Sequence, residues 1–338
     1  MGLVFMLALA GCSDDVVDAG PVSTGDTSDV GDTDDLPTGA AVPDTQSGTT
    51  DAPAGDDDEE SDTGDESGTG DKTSSRPPDA GKRTSGGNET ETTSIRLYFM
   101  APGGGTPARS EPFLVSVHRD IPSTPGIARA SLAELVDGPS GADKDLIDGI
   151  SSAVPTDTLV LGINIDNGLA TVDLSREFES GGGSFSMFAR LAQVVYTVTQ
   201  FPTVDEVEFR LDGQPVTVFS GEGIVLDGPA SRDDFVDLLP TVFVDSPAAG
   251  SEVKGSLRAT GMAAVFEATF QYRLAAADGT VLAEGFAMTN NGVGWGSFDI
   301  TIGFDVGRRQ PGTLTVWEYS AKDGSIQAER VTPLVLAP

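Results

Sequence analysis

The chain has 338 residues, with 53 acidic against 20 basic side chains and a formal net charge of −33. At 38% hydrophobic it is too polar for a multi-span membrane protein, and it has no basic stripe to displace counterions from a nucleic acid. Its single Cys excludes an internal disulfide and a cysteine-rich zinc site, and its single His, His118, leaves little for imidazole-based metal or nucleophile chemistry.

In chain order, the first feature is an unbroken apolar run from Leu3 to Ala10. A membrane-spanning helix needs about 20 such residues, so this run suits the h-region of a signal peptide instead. Leu9-Ala10-Gly11-Cys12 follows, and resembles the bacterial lipobox. The resemblance implies a diacylglycerol on the Cys12 thiol, a signal peptide over 1–11 removed before Cys12, and an extracytoplasmic lipoprotein anchored to the cell membrane. The alternative is a free Cys closing an ordinary signal peptide. No Lys or Arg precedes the apolar run, which leaves open a true start upstream with a basic n-region.

Residues 12–94 read as a disordered acidic tether. From residue 13 to 94 there are 22 Asp/Glu against 4 Lys/Arg and no Ile, Phe, Tyr, Trp or Met. Such a segment cannot bury enough apolar surface to offset the entropy of ordering. As a neutral coil it would span about 50 Å, with charge repulsion extending it further. The run from Asp32 is no EF-hand loop, because Leu36 and Pro37 stand at the fifth and sixth positions.

A first module is expected over 95–240. Ile95–Phe99 and Phe113–His118 read as strands joined by the Gly103-Gly104-Gly105 loop. Ala128, Leu132, Leu135 and Val136 share a helical face that ends at Gly138-Pro139. Leu159, Leu161, Ile163 and Ile165 alternate, Asn167-Gly168 offers a hairpin turn, and Ala170, Val172 and Leu174 return. Ser184 is the expected N-cap of a second helix carrying Phe188, Leu191, Val195 and Val198. A strand from Val204 to Leu211 turns at Asp212-Gly213. The order ββαββαβ predicts an α+β module of two helices on a mixed sheet. Leu132-Ala133-Glu134-Leu135 with Gly138-Pro139, Gly168 to Ser175, and Gln193 to Thr199 resemble the GerMN (sporulation and germination) domain. That resemblance implies a non-catalytic envelope module and suggests homo-oligomer contacts through it.

A second module is expected over 241–338. Val242-Phe243-Val244-Asp245 opens it, and turn signals recur at Asp278-Gly279, Asn291-Gly292 and Asp323-Gly324. Regular short strands of this kind predict an all-β, immunoglobulin-like sandwich, with Trp295 and Trp317 as large core candidates. Val265 to Ala268, Trp295 to Phe298 and Trp317 to Ser325 resemble the immunoglobulin-like domain of bacterial spore germination.

Motifs that carry chemistry are few. Gly181-Gly182-Gly183-Ser184 precedes a helix but lacks the Lys of a phosphate loop, and Gly221-Glu222-Gly223 lacks its third Gly. Gly138-Pro139-Ser140-Gly141 is not a nucleophile elbow. His118 is the one available triad base and reads as a structural residue beside Arg119. Glu267 and Glu318 stand between apolar neighbours; alternation turns the neighbours inward and the acids outward, or else the acids belong to a functional sheet face. No catalytic, cofactor-binding or metal residue is assigned, and no cofactor is expected. The sequence thus reads as a non-enzymatic, lipid-anchored envelope protein. Its expected partners are the membrane, through a lipid on Cys12, and envelope proteins or cell-wall polymer, with no nucleic acid. An accessory regulator of an envelope sensor and a cell-wall hydrolase are the rival readings.

Overall fold

The computed structural model describes residues 91–103, 111–221 and 223–338. Cys12, the apolar run, the tether as far as residue 90, Gly104, Gly105 and Glu222 lie outside the described residues. β1 (Thr92–Ala101) begins inside the stretch read as tether and pairs antiparallel with β2 (Phe113–Pro122). α1 (Ile127–Asp137) ends at Gly138, whose φ of 78° breaks the helix where the sequence placed its end. A short α2 (Gly141–Leu146), absent from the expected order, follows on a capping box. In it Ser140 accepts from the Asp143 amide, and Asp143 accepts from the Ser140 amide.

β3 (Val160–Asp166) and β4 (Gly168–Leu174) form an antiparallel hairpin. Asn167 and Gly168 have φ of 49° and 87°, as its tight turn demands. A bulge between Val160 and Gly162 shifts the pleat, so Leu161 turns out to solvent although it alternates with Ile163 in sequence. α3 (Ser184–Val198) then leads to β5 (Val204–Leu211), which pairs parallel with β4. The sheet is therefore mixed, in the order β3-β4-β5-β6, closed by the two-residue β6 (Gln214–Pro215). The hairpin β1-β2 is a separate ladder, so the module has two layers of strands rather than one. α3 runs between them, and this is why eleven of its fifteen residues are buried. Its N-cap is Gly183, not Ser184; Ser184 is already the first helical residue. The minor pair β7 (Val218–Phe219) and β8 (Ile224–Val225) and a 3₁₀ turn over Arg232–Leu238 complete the module.

The second module is a single hydrogen-bonded ladder, β13-β12-β15-β16-β10-β11-β14, with β9 on the other side of β11. Its strands are β9 (Val242–Ser246), β10 (Glu252–Lys254), β11 (Ser256–Ala263) and β12 (Thr269–Ala276). β13 (Val281–Met288), β14 (Gly296–Gly303), β15 (Gln310–Tyr319) and β16 (Ile326–Ala337) follow. Phe270 on β12 and Phe298 on β14 lie far apart along the ladder, yet their rings are 4.8 Å apart. The ladder folds over on itself and makes a sandwich with these rings in its core.

β9 serves two cores at once. Val242 and Val244 pack into the sandwich, whereas Phe243 packs into the cluster of the first module with Tyr98, Tyr196 and Leu132. Successive side chains of a strand point to opposite faces, so one strand walls both modules. The expected cut at 240/241 falls at the start of this shared strand. At Gly261 on β11 a Cβ would stand 1.9 Å from the Phe243 carbonyl oxygen, so β9 reaches β11 only because that position is glycine.

The tryptophans divide differently from the expectation. Trp295 is half-buried against the first module's cluster, not in the sandwich core. Trp317 is buried, but on the outer face of the sandwich. Leu314 and Val316 take the inward phase of β15, and Trp317 lies opposite Gln271 under the Arg273 guanidinium, 5.2 Å from its ring. The same alternation puts Glu318, expected outside, on the side of Val316 and half-buried. Around Glu267 the chain kinks, with φ of 53° and 58° at Glu267 and Ala268. Val265 and Ala268 turn in, and Phe266, expected inside, is 64% exposed together with Glu267.

Candidate functional site: the seam between the modules

Polar side chains from four elements converge where the modules meet. Alternation along β1 places Arg96 and Tyr98 on one side. Tyr196 on α3 and Thr199 and Gln200 just beyond it follow at helical spacing. Arg232 comes from the 3₁₀ turn and Asp245 from β9. The Tyr98 hydroxyl donates to Asp245 Oδ1 at 2.5 Å, while Arg232 Nη1 and Arg96 Nη2 lie 3.2 and 3.7 Å from Oδ2. Both guanidiniums also donate to the Tyr98 oxygen, Arg96 Nε at 3.0 Å and Arg232 Nη2 at 3.2 Å. Arg232 further donates to Thr199 Oγ1 at 2.7 Å and lies over the Tyr196 ring at 4.6 Å. Gln200 clamps the β1 backbone, accepting from the Arg96 amide and donating to its carbonyl, each at 2.7 Å.

The electrostatics are those of a tie rather than of an acid–base pair. Burial, reinforced by the Asp245 charge, pushes the Tyr98 hydroxyl up to about 12. Burial raises Tyr196 in the same way. Burial works against the charge on Arg232, but Tyr98 and Asp245 more than offset it and hold the guanidinium above its ordinary range. Both phenols are thus neutral and both guanidiniums charged at neutral pH. One carboxylate of the second module fastens two cations and a phenol of the first.

Hollows flank this tie. One of about 470 Å³ is lined by Arg232, Asp245, Thr260, Met262, Ser297 and Asp299, among others. A neighbour of about 430 Å³ shares Met262 and Ser297 and adds Asp233, Val236, Asn290 and Trp295. A narrower apolar cleft of about 110 Å³ lies among Phe113, Val115, Ile147, Val242 and Val331. The Arg330 guanidinium there stacks 4.3 Å from the Phe113 ring centre.

The residues singled out in the sequence fall elsewhere. Cys12 lies outside the described residues. His118 Nε2 is 3.3 Å from Asp120 Oδ1, and the same oxygen accepts from the Ser94 hydroxyl at 2.6 Å. The carboxylate stands between imidazole and hydroxyl, so the order of a hydrolytic triad is not formed. Around Gly181 the carbonyls of Phe178, Ser180 and Gly181 accept from the buried Arg190, at 2.6, 3.0 and 3.0 Å. A phosphate loop aims amides at an anion; this loop aims carbonyls at a cation. Ser140 is committed to its capping box, and Asp143 of that box also pairs with Arg119. Among the described residues no group of three or more His, Cys, Asp and Glu is placed to hold a metal ion. The seam residues Tyr98, Arg232 and Asp245 were not picked out from the sequence. The one available signal was an acid closing the otherwise apolar Val242-Phe243-Val244 run.

Comparison with known proteins gives each module a relative. Residues 96–217 match the Germane family of sporulation and spore germination, and residues 241–325 match Gmad2, the immunoglobulin-like domain of bacterial spore germination. The chain therefore carries both domains, in the order that its sequence suggested. It is 27% identical over 160 residues to the spore germination protein GerM of Bacillus subtilis (strain 168). The aligned stretch is 46% of this chain and spans 40% of the length of that relative. Among solved structures, the first GerMN domain of the sporulation protein GerM from Bacillus subtilis matches at 23% identity with a TM-score of 0.34. That match covers 42% of this chain and 99% of the other. The tandem GerMN domains of the same protein match at 16% identity with a TM-score of 0.36, over 73% of this chain and 61% of theirs.

Proposed function

We propose that this chain is a germination-related envelope protein, held outside the cytoplasm by a lipid on Cys12, with two non-catalytic modules used for binding and scaffolding. The observation that carries the reading is the pairing of a Germane domain with a germination-type immunoglobulin-like domain on one chain. In this account residues 1–11 direct export, acyl chains on Cys12 hold the product at the membrane, and 12–94 form a spacer. The modules of 95–240 and 241–338 then present their surfaces to envelope proteins or wall polymer. The charge-paired seam supports a positional role, because its groups are arranged to hold each other rather than to exchange protons. Self-association through the first module is part of the proposal. Leu159, Leu161 and Ile165, at and beside the terminal strand β3, are exposed and apolar.

Metabolic labelling with a fatty-acid analogue and membrane fractionation test the anchor. The intact chain is expected in the membrane fraction with label, and Cys12→Ala is expected to lose both. An unlabelled chain that fractionates with cytosolic markers would overturn the reading.

A further inference from the structure

We infer that the two hollows beside Asp245 form one groove that binds a neutral glycan strand through N-acetylated sugars. They share Met262 and Ser297 as walls and so adjoin, with Arg232 and Asp299 lining one and Trp295 and Asn290 the other. The lining selects the ligand class. In a chain of net charge −33 this groove is nearly charge-compensated. Asp245 is held by Arg96 and Arg232, and Asp299 by a fork from Arg258, with Nε at 2.9 Å and Nη2 at 2.5 Å. Asp233, exposed in the lining, leaves a residual negative charge that disfavours an anionic strand, while the remaining lone pairs and hydrogens of the paired groups suit hydroxyl groups.

Short polar groups supply the rest. Thr260 and Ser297 bring hydroxyls, and Asn290 spends its Oδ1 on the Ser297 amide, leaving the Nδ2 hydrogens for a ligand carbonyl. Trp295 gives a half-buried flat apolar face, and Met262 beside it an adaptable one, suited to a sugar ring face and an acetyl methyl. The floor is the pairing of β11 with β14, with Thr260 opposite Asp299, Gly261 opposite Phe298 and Met262 opposite Ser297. β9 closes the other side of β11, and β14 is the terminal strand of the ladder. The Asp245 tie fixes the walls before a ligand arrives, which lowers the ordering cost of binding. The inference rests on the envelope reading for the source of the glycan, while the site itself stands on the groove.

The test is calorimetric titration of the full chain with tetra-N-acetylchitotetraose, with maltotetraose as the unacetylated comparison. Saturable binding of the first and not of the second is expected. Trp295→Ala should weaken binding about tenfold or more, because it removes the aromatic face of the groove. Ser297 is exposed, so Ser297→Trp fills the groove without entering a core; it should abolish binding while leaving the thermal midpoint in place. No saturable binding to the intact chain, equal binding of maltotetraose, or undiminished binding by Ser297→Trp would each overturn the inference. Sugar binding by a chain found in the cytoplasm would leave the groove standing and remove the envelope reading. Envelope fractionation without sugar binding would do the reverse.

Discussion

The two modules bury their apolar residues by different means. The first wraps a mixed sheet and a separate hairpin around one helix, and its cluster is rich in large rings: Tyr98, Phe99, Phe178, Tyr196, Phe209 and Phe235. The second closes a single ladder over a smaller cluster in which Phe270 and Phe298 are the buried rings. The sandwich nonetheless lends Phe243, Trp295 and Met262 to the first core. A packed apolar seam with a charged tie at its margin makes the modules one mechanical unit, unlike the hinged pair that a short connection at 240/241 would suggest.

The severest way to break that comparison is Phe243→Ala. It removes a ring that sits in the first core but belongs to a strand of the second, at a cost of about 3–5 kcal/mol. Denaturant unfolding followed by two probes, one in each module, should show both transitions moving together. Movement of one transition alone would mean that the modules fold independently. Next in size is Asp245→Ala, which leaves two guanidiniums and a phenol without their acceptor and should cost about 2–3 kcal/mol.

The same tie predicts a dependence on pH. The Tyr98 hydroxyl is raised from 10 to about 12. A raised folded value means that the contribution is fully present below the unfolded value and is lost as pH rises through the folded one. Stability should hold up to pH 10 and fall between pH 10 and about 12, by roughly 2–3 kcal/mol for the two-unit difference. Tyr98→Phe should remove this part of the alkaline fall; an unchanged profile would exclude Tyr98 as its source.

The smallest effect sharpens the comparison at a helix start. Ser140→Ala loses a capping box and should cost about 1 kcal/mol in thermal unfolding. An unchanged thermal midpoint in Ser140→Ala would contradict the assigned cap.

Much of the fold could be read from local pattern. The faces of α1 and α3, the Asn167-Gly168 turn, the stop at Gly138 and the turn at Asp212-Gly213 depend on periodicity and backbone sterics within a few residues. The site was less legible. Tyr98 and Asp245 are separated by 147 residues, and neither carries a mark in its own neighbourhood that names the other.

Sequence alone settled the kind and order of the principal elements, α2 excepted, and suggested the two-module plan. It did so because apolar spacing and turn residues act over distances the chain fixes covalently. It could not say which face of β9 served which core, that a bulge would turn Leu161 outward, or that Trp317 would be buried on an outer face. Nor could it say that Asp245 would gather two arginines and a tyrosine. Those outcomes depend on what packs opposite each residue, and that is decided only when distant segments close on one another and exclude water.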